Sequence, residues 1–247
     1  MSRRRFYAQP TDIRGSLVTL SKEETHHLVH VLRLKPGDQV FVFDGCGTEY
    51  RCSFRAERRS RAELEVIDPL IDAVESPVRL TLAQSLAKND KFDFIVQRAT
   101  ELGVSRIIPL RTEHAHVSSG RDHEDKRLDR WRLISLGALK QCGRRRLVEL
   151  AAPMTVSQLT EAKDSGFMLV FSEKGGAPIN TALRQAGTLT DLTAFIGPEG
   201  GWSDAELTFL EGRGATMVSL GPRILRTETA ALVAITLIQH WIGDLSN

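Results

Sequence analysis

Two short strings in the last third of the chain combine residue types that could do chemistry. The first is Gly197-Pro198-Glu199-Gly200-Gly201-Trp202-Ser203-Asp204-Ala205-Glu206. Ser203 and Glu206 stand at capping-box spacing, so a helix starts there and the glycines fill the turn before it. Such turns usually cradle phosphate, because the main-chain N–H groups at a helix start attract anions. This one lacks the Lys-Ser/Thr pair of a P-loop and the GxGxxG spacing, and it carries Glu199 in its middle. A carboxylate there repels a diphosphate. It suits a ligand with positive charge and no phosphate, such as the ammonium and sulfonium of S-adenosylmethionine. The glycines also read as a turn needed only for tight packing.

The second string is Ser219-Leu220-Gly221-Pro222-Arg223-Ile224-Leu225-Arg226-Thr227-Glu228-Thr229-Ala230. Thr227 reads as a helix N-cap, with Glu228 and Thr229 in the first turn. Arg226, Thr227, Glu228 and Thr229 crowd between a Gly-Pro turn and an apolar helix, where a purely structural connection could be far less polar. That helix, residues 230–242, carries Leu232, Ile235, Leu237, Ile238, Trp241 and Ile242 nearly all round. It must be buried within its domain or against a partner.

Holding such loops requires strands. From Val78 onward strand and helix patterns alternate. Val78, Leu80 and Leu82 start a strand; Phe92, Ile95, Val96, Ala99 and Leu102 follow at helical spacing up to Gly103, a C-terminal cap. Strands at Ile107 and Ile108, at 167–171 and at 192–196 alternate with helices around Trp131 and near 179–184, and Met217 and Val218 form a last strand. The pattern predicts a mostly parallel sheet covered by helices, with ligands outside the carboxyl ends of its strands. Chemistry should therefore lie in the loops after Phe171, Ile196 and Leu220. Before about Asp68 the segments are short and alternating, at 39–43, 49–54 and 62–66, with turn signals at Lys35-Pro36-Gly37-Asp38 and Asp44-Gly45. They read as a small β-barrel interrupted by one helix, 23–33. The stretch between Pro69 and Pro77 has no clear period, so we expect two domains, 1–71 and 72–247.

A chain of 247 residues that is 41% hydrophobic can bury a substantial core. Its net charge is only +2, so local charge says more than the total. Arginines cluster at 3–5, at 55, 58, 59 and 61, and at 144–146, each set dense enough to neutralise several phosphates if it faces one groove. Each also reads as a solvated face. The chain has no apolar leader, and its longest apolar run, 230–238, is broken by Thr236. The expectation is a cytoplasmic protein with no membrane association. Cys46, Cys52 and Cys142 are widely spaced and read as reduced thiols. His26 and His30 are one helical turn apart, but no HExxH glutamate or third ligand accompanies them, and no metal is expected.

The chain resembles the 16S ribosomal RNA uridine N3-methyltransferases of the SPOUT superfamily. The resemblance is carried by His27-Leu28-Val29-His30-Val31-Leu32-Arg33, by Lys35-Pro36-Gly37-Asp38, by the run 88–104 ending Gln97-Arg98-Ala99-Thr100-Glu101-Leu102-Gly103-Val104, and by both loops, at 196–201 and 219–232. Arg98 stands where lysine is common, and Gln141 is followed by Cys142 where serine is usual. The resemblance implies a PUA-like RNA-binding barrel and then a SPOUT-type α/β domain tied in a trefoil knot. It also implies a homodimer and methylation of one uridine of 16S ribosomal RNA in the small ribosomal subunit. On this reading Ser172, Glu173, Ile196, Gly197, Pro198, Glu199, Gly200, Gly201, Ser219, Leu220, Gly221, Ile224, Leu225, Arg226 and Thr229 surround S-adenosylmethionine, with Gly200 allowing close approach. Arg226 stabilises charge on the base, Glu228 is the candidate general base and Thr229 orients. Arg3, Arg4, Arg5, Arg33 and Arg144 are the expected RNA contacts. Cys142 reads as packing, since N3 methylation needs no covalent attack. The rival readings are a non-catalytic RNA-binding or ribosome-assembly factor, which has no need of Arg226 or Glu228, and a nucleotide-dependent dehydrogenase, which lacks its GxGxxG.

Overall fold

The structure is a computed structural model and describes residues 4–70, 75–115, 121–161 and 166–245. The chain forms two compact units, one of Met1–Glu75 with Leu139–Leu147, the other of Ser76–Ala138 with Val148–Asn247.

In the first unit, β1 (Arg5–Tyr7), β2 (Ile13–Arg14), β3 (Leu17–Thr19), β4 (Gln39–Phe43), β5 (Glu49–Arg58) and β6 (Arg61–Leu70) form a six-stranded sheet. The order is β1-β4-β5-β6-β3-β2, with β1 parallel to β4 and the other pairs antiparallel. Alternation places Val40, Val42, Cys52, Phe54, Ala62 and Leu64 in one core, the inner face of a half-barrel. Helix α1 (Lys22–His26) opens on Ser21, whose hydroxyl accepts from the Glu24 amide at 3.2 Å. It widens into a π turn over His27–Val31 and ends at Arg33, held at φ 54°.

The arginines at the edge of this unit act inside it. Arg5 is buried; its Nε donates to Glu49 at 2.5 Å and its other nitrogens to the carbonyls of Leu139 and Arg144, at 2.5 and 2.9 Å. Arg144 is buried against Glu75 at 2.8 Å, and Arg145 lies between Glu49, at 3.5 Å, and the Leu70 carbonyl, at 2.9 Å. Expected RNA contacts at Arg5 and Arg144 are thereby overturned, because guanidinium groups sealed against carboxylates cannot reach a phosphate. The inclusion of Leu139–Leu147 in this unit is absent from the sequence reading.

The second unit contains β7 (Arg79–Ser85), α2 (Asn89–Glu101), β8 (Arg106–Arg111), most of α3 (Arg121–Cys142), β9 (Glu149–Leu150), β10 (Met154–Thr155), α4 (Val156–Glu161), β11 (Phe167–Phe171), β12 (Ala177–Pro178), α5 (Ile179–Ala186), β13 (Asp191–Ile196), α6 (Asp204–Gly212), β14 (Thr216–Ser219) and α7 (Thr227–Ile242). The sheet runs β10-β8-β7-β13-β11-β14-β12, every pair parallel, with β9 beside β8. Both faces are covered: Leu80, Leu82, Leu169 and Ala194 share a core with α2, α5 and α7, while Ala83, Val170 and Phe195 pack with residues of α4 and α6. Strands buried on both faces lose polar alternation, which is why β11 reads as an apolar run. After β14 the chain doubles back over the ends of β11 and β13 before α7 begins. That return is the crossing in which a SPOUT trefoil knot forms, a topology pattern rules discount a priori. Among the described residues no helix is long and apolar enough to cross a membrane, and no three His, Cys, Asp or Glu side chains gather to hold a metal ion.

Replacing Glu49 with glutamine should lower the stability of the first unit by about 3–5 kcal/mol in chemical denaturation, since it leaves two buried guanidinium groups undercompensated. Glu65→Gln, which removes only the exposed partner of Arg55, should cost under about 1 kcal/mol. Burial, reinforced by Asp68, pushes the Cys52 thiol up to about 12, whereas Cys46 and Cys142 are exposed. Iodoacetamide at pH 8 should therefore modify Cys46 and Cys142 in the native protein and reach Cys52 only after unfolding.

Candidate active site

The loops after β11, β13 and β14, with the start of α7, close around a cavity of about 490 Å3. Ser172 and Glu173 contribute from the first loop, residues 196–201 from the second, and Leu220, Gly221, Ile224, Leu225 and Arg226 from the third. Two residues expected at the cofactor lie elsewhere. Ser219 closes β14, its hydroxyl accepting from the Gly221 amide at 3.2 Å, and Thr229 lines an adjoining hollow with Glu228. Arg223, within the loop expected to surround the cofactor, also lines it; Lys91, Phe171, Thr227 and Ala230 complete the lining and escaped the sequence reading.

The glycine turn is built by close approach. Trp202 is buried beneath it and donates its indole N–H to the Phe171 carbonyl at 3.0 Å; a Cβ on Gly197 would meet that indole nitrogen at 2.8 Å. Gly201 sits at φ +75°, its amide bonded to the Pro198 carbonyl at 3.0 Å, and a Cβ there would run into the Glu173 carboxylate. At Gly200 the missing Cβ makes room for His114, which would be met at 3.0 Å, so that glycine serves packing behind the turn. The predicted capping box is present: Ser203 accepts from the Glu206 amide at 3.2 Å and Glu206 from the Ser203 amide at 3.1 Å.

Thr227 departs from its expected role. The N-cap is Arg226, without a side-chain cap. Thr227, one residue inside and buried, instead donates its hydroxyl to the Gly197 carbonyl at 2.7 Å and accepts from Gln84 Nε2 at 3.0 Å. Long-range partners take the side chain that local chemistry would have assigned to a cap.

Charge is arranged in two places. Arg226 is exposed at the cavity, where its guanidinium can meet negative charge on a bound group. Lys91 Nζ hydrogen-bonds Glu199 and lies 3.8 Å from Glu228 Oε2. The Glu199 hydrogen bond and the nearby carboxylates hold the Lys91 ammonium above its ordinary value, so it stays charged at neutral pH. Glu228 Oε2 is shielded from solvent and, among the described residues, has no hydrogen-bond partner. Of the expected RNA contacts, Arg4 and Arg33 are exposed, and Arg3 lies outside the described residues. The arginines of 55–61 are largely balanced: Arg55 pairs with Glu65, Arg58 with Glu63 at 3.3 Å and Arg61 with Asp12 at 3.8 Å.

A parallel sheet whose chain doubles back at β14, with a cavity at its carboxyl ends, following a half-barrel module in the sequence, defines the SPOUT class of RNA methyltransferases. The sequence matches the RNA methyltransferase domain over residues 74–239 and the RNA methyltransferase PUA domain over residues 20–67. The chain belongs to this RNA methyltransferase family. It is 32% identical over 237 residues to ribosomal RNA small subunit methyltransferase E of Synechocystis, covering 95% of this chain and 76% of that one. The protein of the same name from Buchnera aphidicola of Schizaphis graminum is 31% identical, with 94% of each chain covered. Among solved structures, a Legionella pneumophila protein with bound cofactor SAM superposes with a TM-score of 0.90 at 32% identity, covering 99% of this chain and all (100%) of its own. The Neisseria gonorrhoeae ribosomal RNA small subunit methyltransferase E bound to S-adenosyl methionine gives 0.86 at 30% identity, with 98% and 99% covered.

Thr227→Val should lower stability by about 2 kcal/mol, because it takes their hydroxyl partner from the buried Gln84 amide and the half-buried Gly197 carbonyl. Calorimetry should show the loss together with weaker cofactor binding, and Thr227→Ser should restore both.

Proposed function

We propose that this enzyme transfers a methyl group from S-adenosylmethionine to N3 of a uridine in the 16S ribosomal RNA of the small ribosomal subunit. The observation that carries the reading is the cavity itself: three strand-end loops, close-approach glycines, and carboxylates at Glu173 and Glu199 where a phosphate cofactor would need cations. Phe171, Ile196, Pro198, Leu220 and Leu225 offer apolar walls to an adenine, and Glu173 and Glu199 offer negative charge to an ammonium and a sulfonium. When bound, this cofactor supplies a methyl carbon on positively charged sulfur, and the carbon–sulfur electron pair leaves with the sulfur.

The protein's own share is the proton and the charge. N3 of uridine is a weakly acidic imide, protonated at neutral pH. Glu228 takes its proton, Arg226 stabilises the charge left on O2 or O4, and Thr229 orients the acceptor. The first unit holds RNA through Arg4, Arg33 and, beyond the described residues, Arg3. The working unit is a homodimer in the cytoplasm, a reading supported by the far end of α7, where Leu237 and Ile242 are only half covered and Trp241 is exposed.

In a strain lacking the gene, mass mapping of ribosomal RNA should show loss of 3-methyluridine alone, restored by the intact gene. A purified protein that gives no heat with S-adenosylmethionine or S-adenosylhomocysteine would refute the enzyme reading. Arg226→Ala should lower turnover by about 10²–10³ while S-adenosylhomocysteine still binds, and sedimentation at low micromolar concentration should give a dimer.

A further inference from the structure

Helices α2 and α7 begin beside one another, and each turns the same three positions toward a common space. Asp90, Lys91 and Phe94 come from α2, and Glu228, Thr229 and Leu232 from α7, at matching i, i+1, i+4 spacing. They enclose a hollow of about 500 Å3, within the size range of small-molecule sites. Lys91 lines both this hollow and the main cavity, so the two spaces share a wall.

The hollow has two unusual walls. Phe94 leaves 41% of its surface open, with the Arg98 guanidinium over its ring at 5.5 Å, which makes it a flat, open platform. Glu228 Oε2 is withdrawn from solvent without a donor; Lys91, at 3.8 Å, is too far for a hydrogen bond. A shielded carboxylate oxygen lacking a donor is costly, and an incoming N–H relieves it.

We infer that this hollow seats the target base, a uracil turned out of the RNA stack, with its ring on Phe94 and Leu232 and its imide edge on Lys91, Glu228 and Thr229. The inference rests on the methyltransferase reading and deepens it. The imide edge of uracil is acceptor, donor, acceptor. The ammonium of Lys91, the carboxylate of Glu228 and the hydroxyl of Thr229 present donor, acceptor, donor, which is its complement. Cytosine places an acceptor at N3, directly against the Glu228 carboxylate, and is refused. Asp90 stands at the rim. Apolar contact from an open aromatic supplies affinity that does not depend on sequence, and the polar edge supplies the choice of base.

The test uses the full-length protein saturated with S-adenosylhomocysteine, with uridine 5′-monophosphate and cytidine 5′-monophosphate as probes in saturation-transfer NMR. Uridine should show the stronger transfer. Phe94→Ala should weaken it by roughly tenfold in affinity, with the melting temperature and S-adenosylhomocysteine affinity unchanged because Phe94 lies outside the cofactor cavity. Glu228→Gln can turn its amide N–H toward N3 of cytosine as readily as its carbonyl toward N3–H of uracil, and should erase the preference for uridine over cytidine. Equal transfer from the two nucleotides in the wild type, or a preference that survives Glu228→Gln, overturns the assignment. Full methylation of ribosomal RNA by Phe94→Ala also overturns it while leaving the proposed function standing. Absence of S-adenosylhomocysteine binding in the wild type would instead strike the reading beneath it.

Discussion

The hydroxyl of Thr227 fixes the site. It donates to the Gly197 carbonyl and accepts from Gln84, and so ties the start of α7 to the ends of β13 and β7, segments 30 and 143 residues away in sequence. Gln84 is fully buried and the Gly197 carbonyl partly so, and an unmade bond costs most where water is excluded. Because α7 must begin at that point, the chain leaving β14 has to travel back across two strand ends, and its course over them is what walls the cavity. The neighbours of Thr227 inherit their places from it. Arg226, just before the helix, faces the cavity, and Glu228, just inside, turns to the adjoining hollow. One side-chain constraint thus sets Arg226 and Glu228 toward different spaces.

Electrostatics divides along the same line. Lys91 stands between Glu199, on the glycine turn, and Glu228, on the helix, bonding the first and leaving the second with a shielded oxygen. Its charge offsets part of the negative potential of the two carboxylates beside it. The glycine turn is held from below by Trp202 and from the side by Thr227, which leaves the carboxylates of Glu173 and Glu199 as its variable parts. Such a turn is preorganised for a ligand recognised mainly by main-chain groups.

Periodicity made β7, β11, β13 and α2 readable from the sequence, and the rule that open sheets bind ligands at strand carboxyl ends led to the three loops that supply most of the cavity. The capping box at Ser203 and Glu206 was readable because both of its partners are local. Where the reading departed from the structure, the deciding partner was distant. Thr227 has cap chemistry but binds Gly197 and Gln84. Arg5 and Arg144 are arginines of the kind that usually stay exposed, and only the fold places Glu49 and Glu75 against them. Lys91 sits in the string Lys88-Asn89-Asp90-Lys91, which looks like any solvated helix start until α7 is beside it. Gly200 carries no local sign that His114 fills the space behind it.

Those buried arginines bear on how RNA is held. A buried Arg–Glu network contributes little net stability over an apolar replacement, but breaking one partner is costly, so its effect is to fix which segments belong together. Here it binds Leu139–Leu147 into the first unit and uses up guanidinium groups that the clusters seemed to offer RNA. With Arg55, Arg58 and Arg61 of the second cluster also matched by carboxylates, the clusters offer RNA less charge than their density suggests. Binding driven by counterion release scales with the number of phosphates neutralised. Where clustered arginines are paired with carboxylates, contacts to the nucleotide itself carry more of the affinity and the choice of site. An open aromatic platform beside a shielded carboxylate meets that need, because phosphate contacts orient a nucleic acid and contacts to its bases identify it.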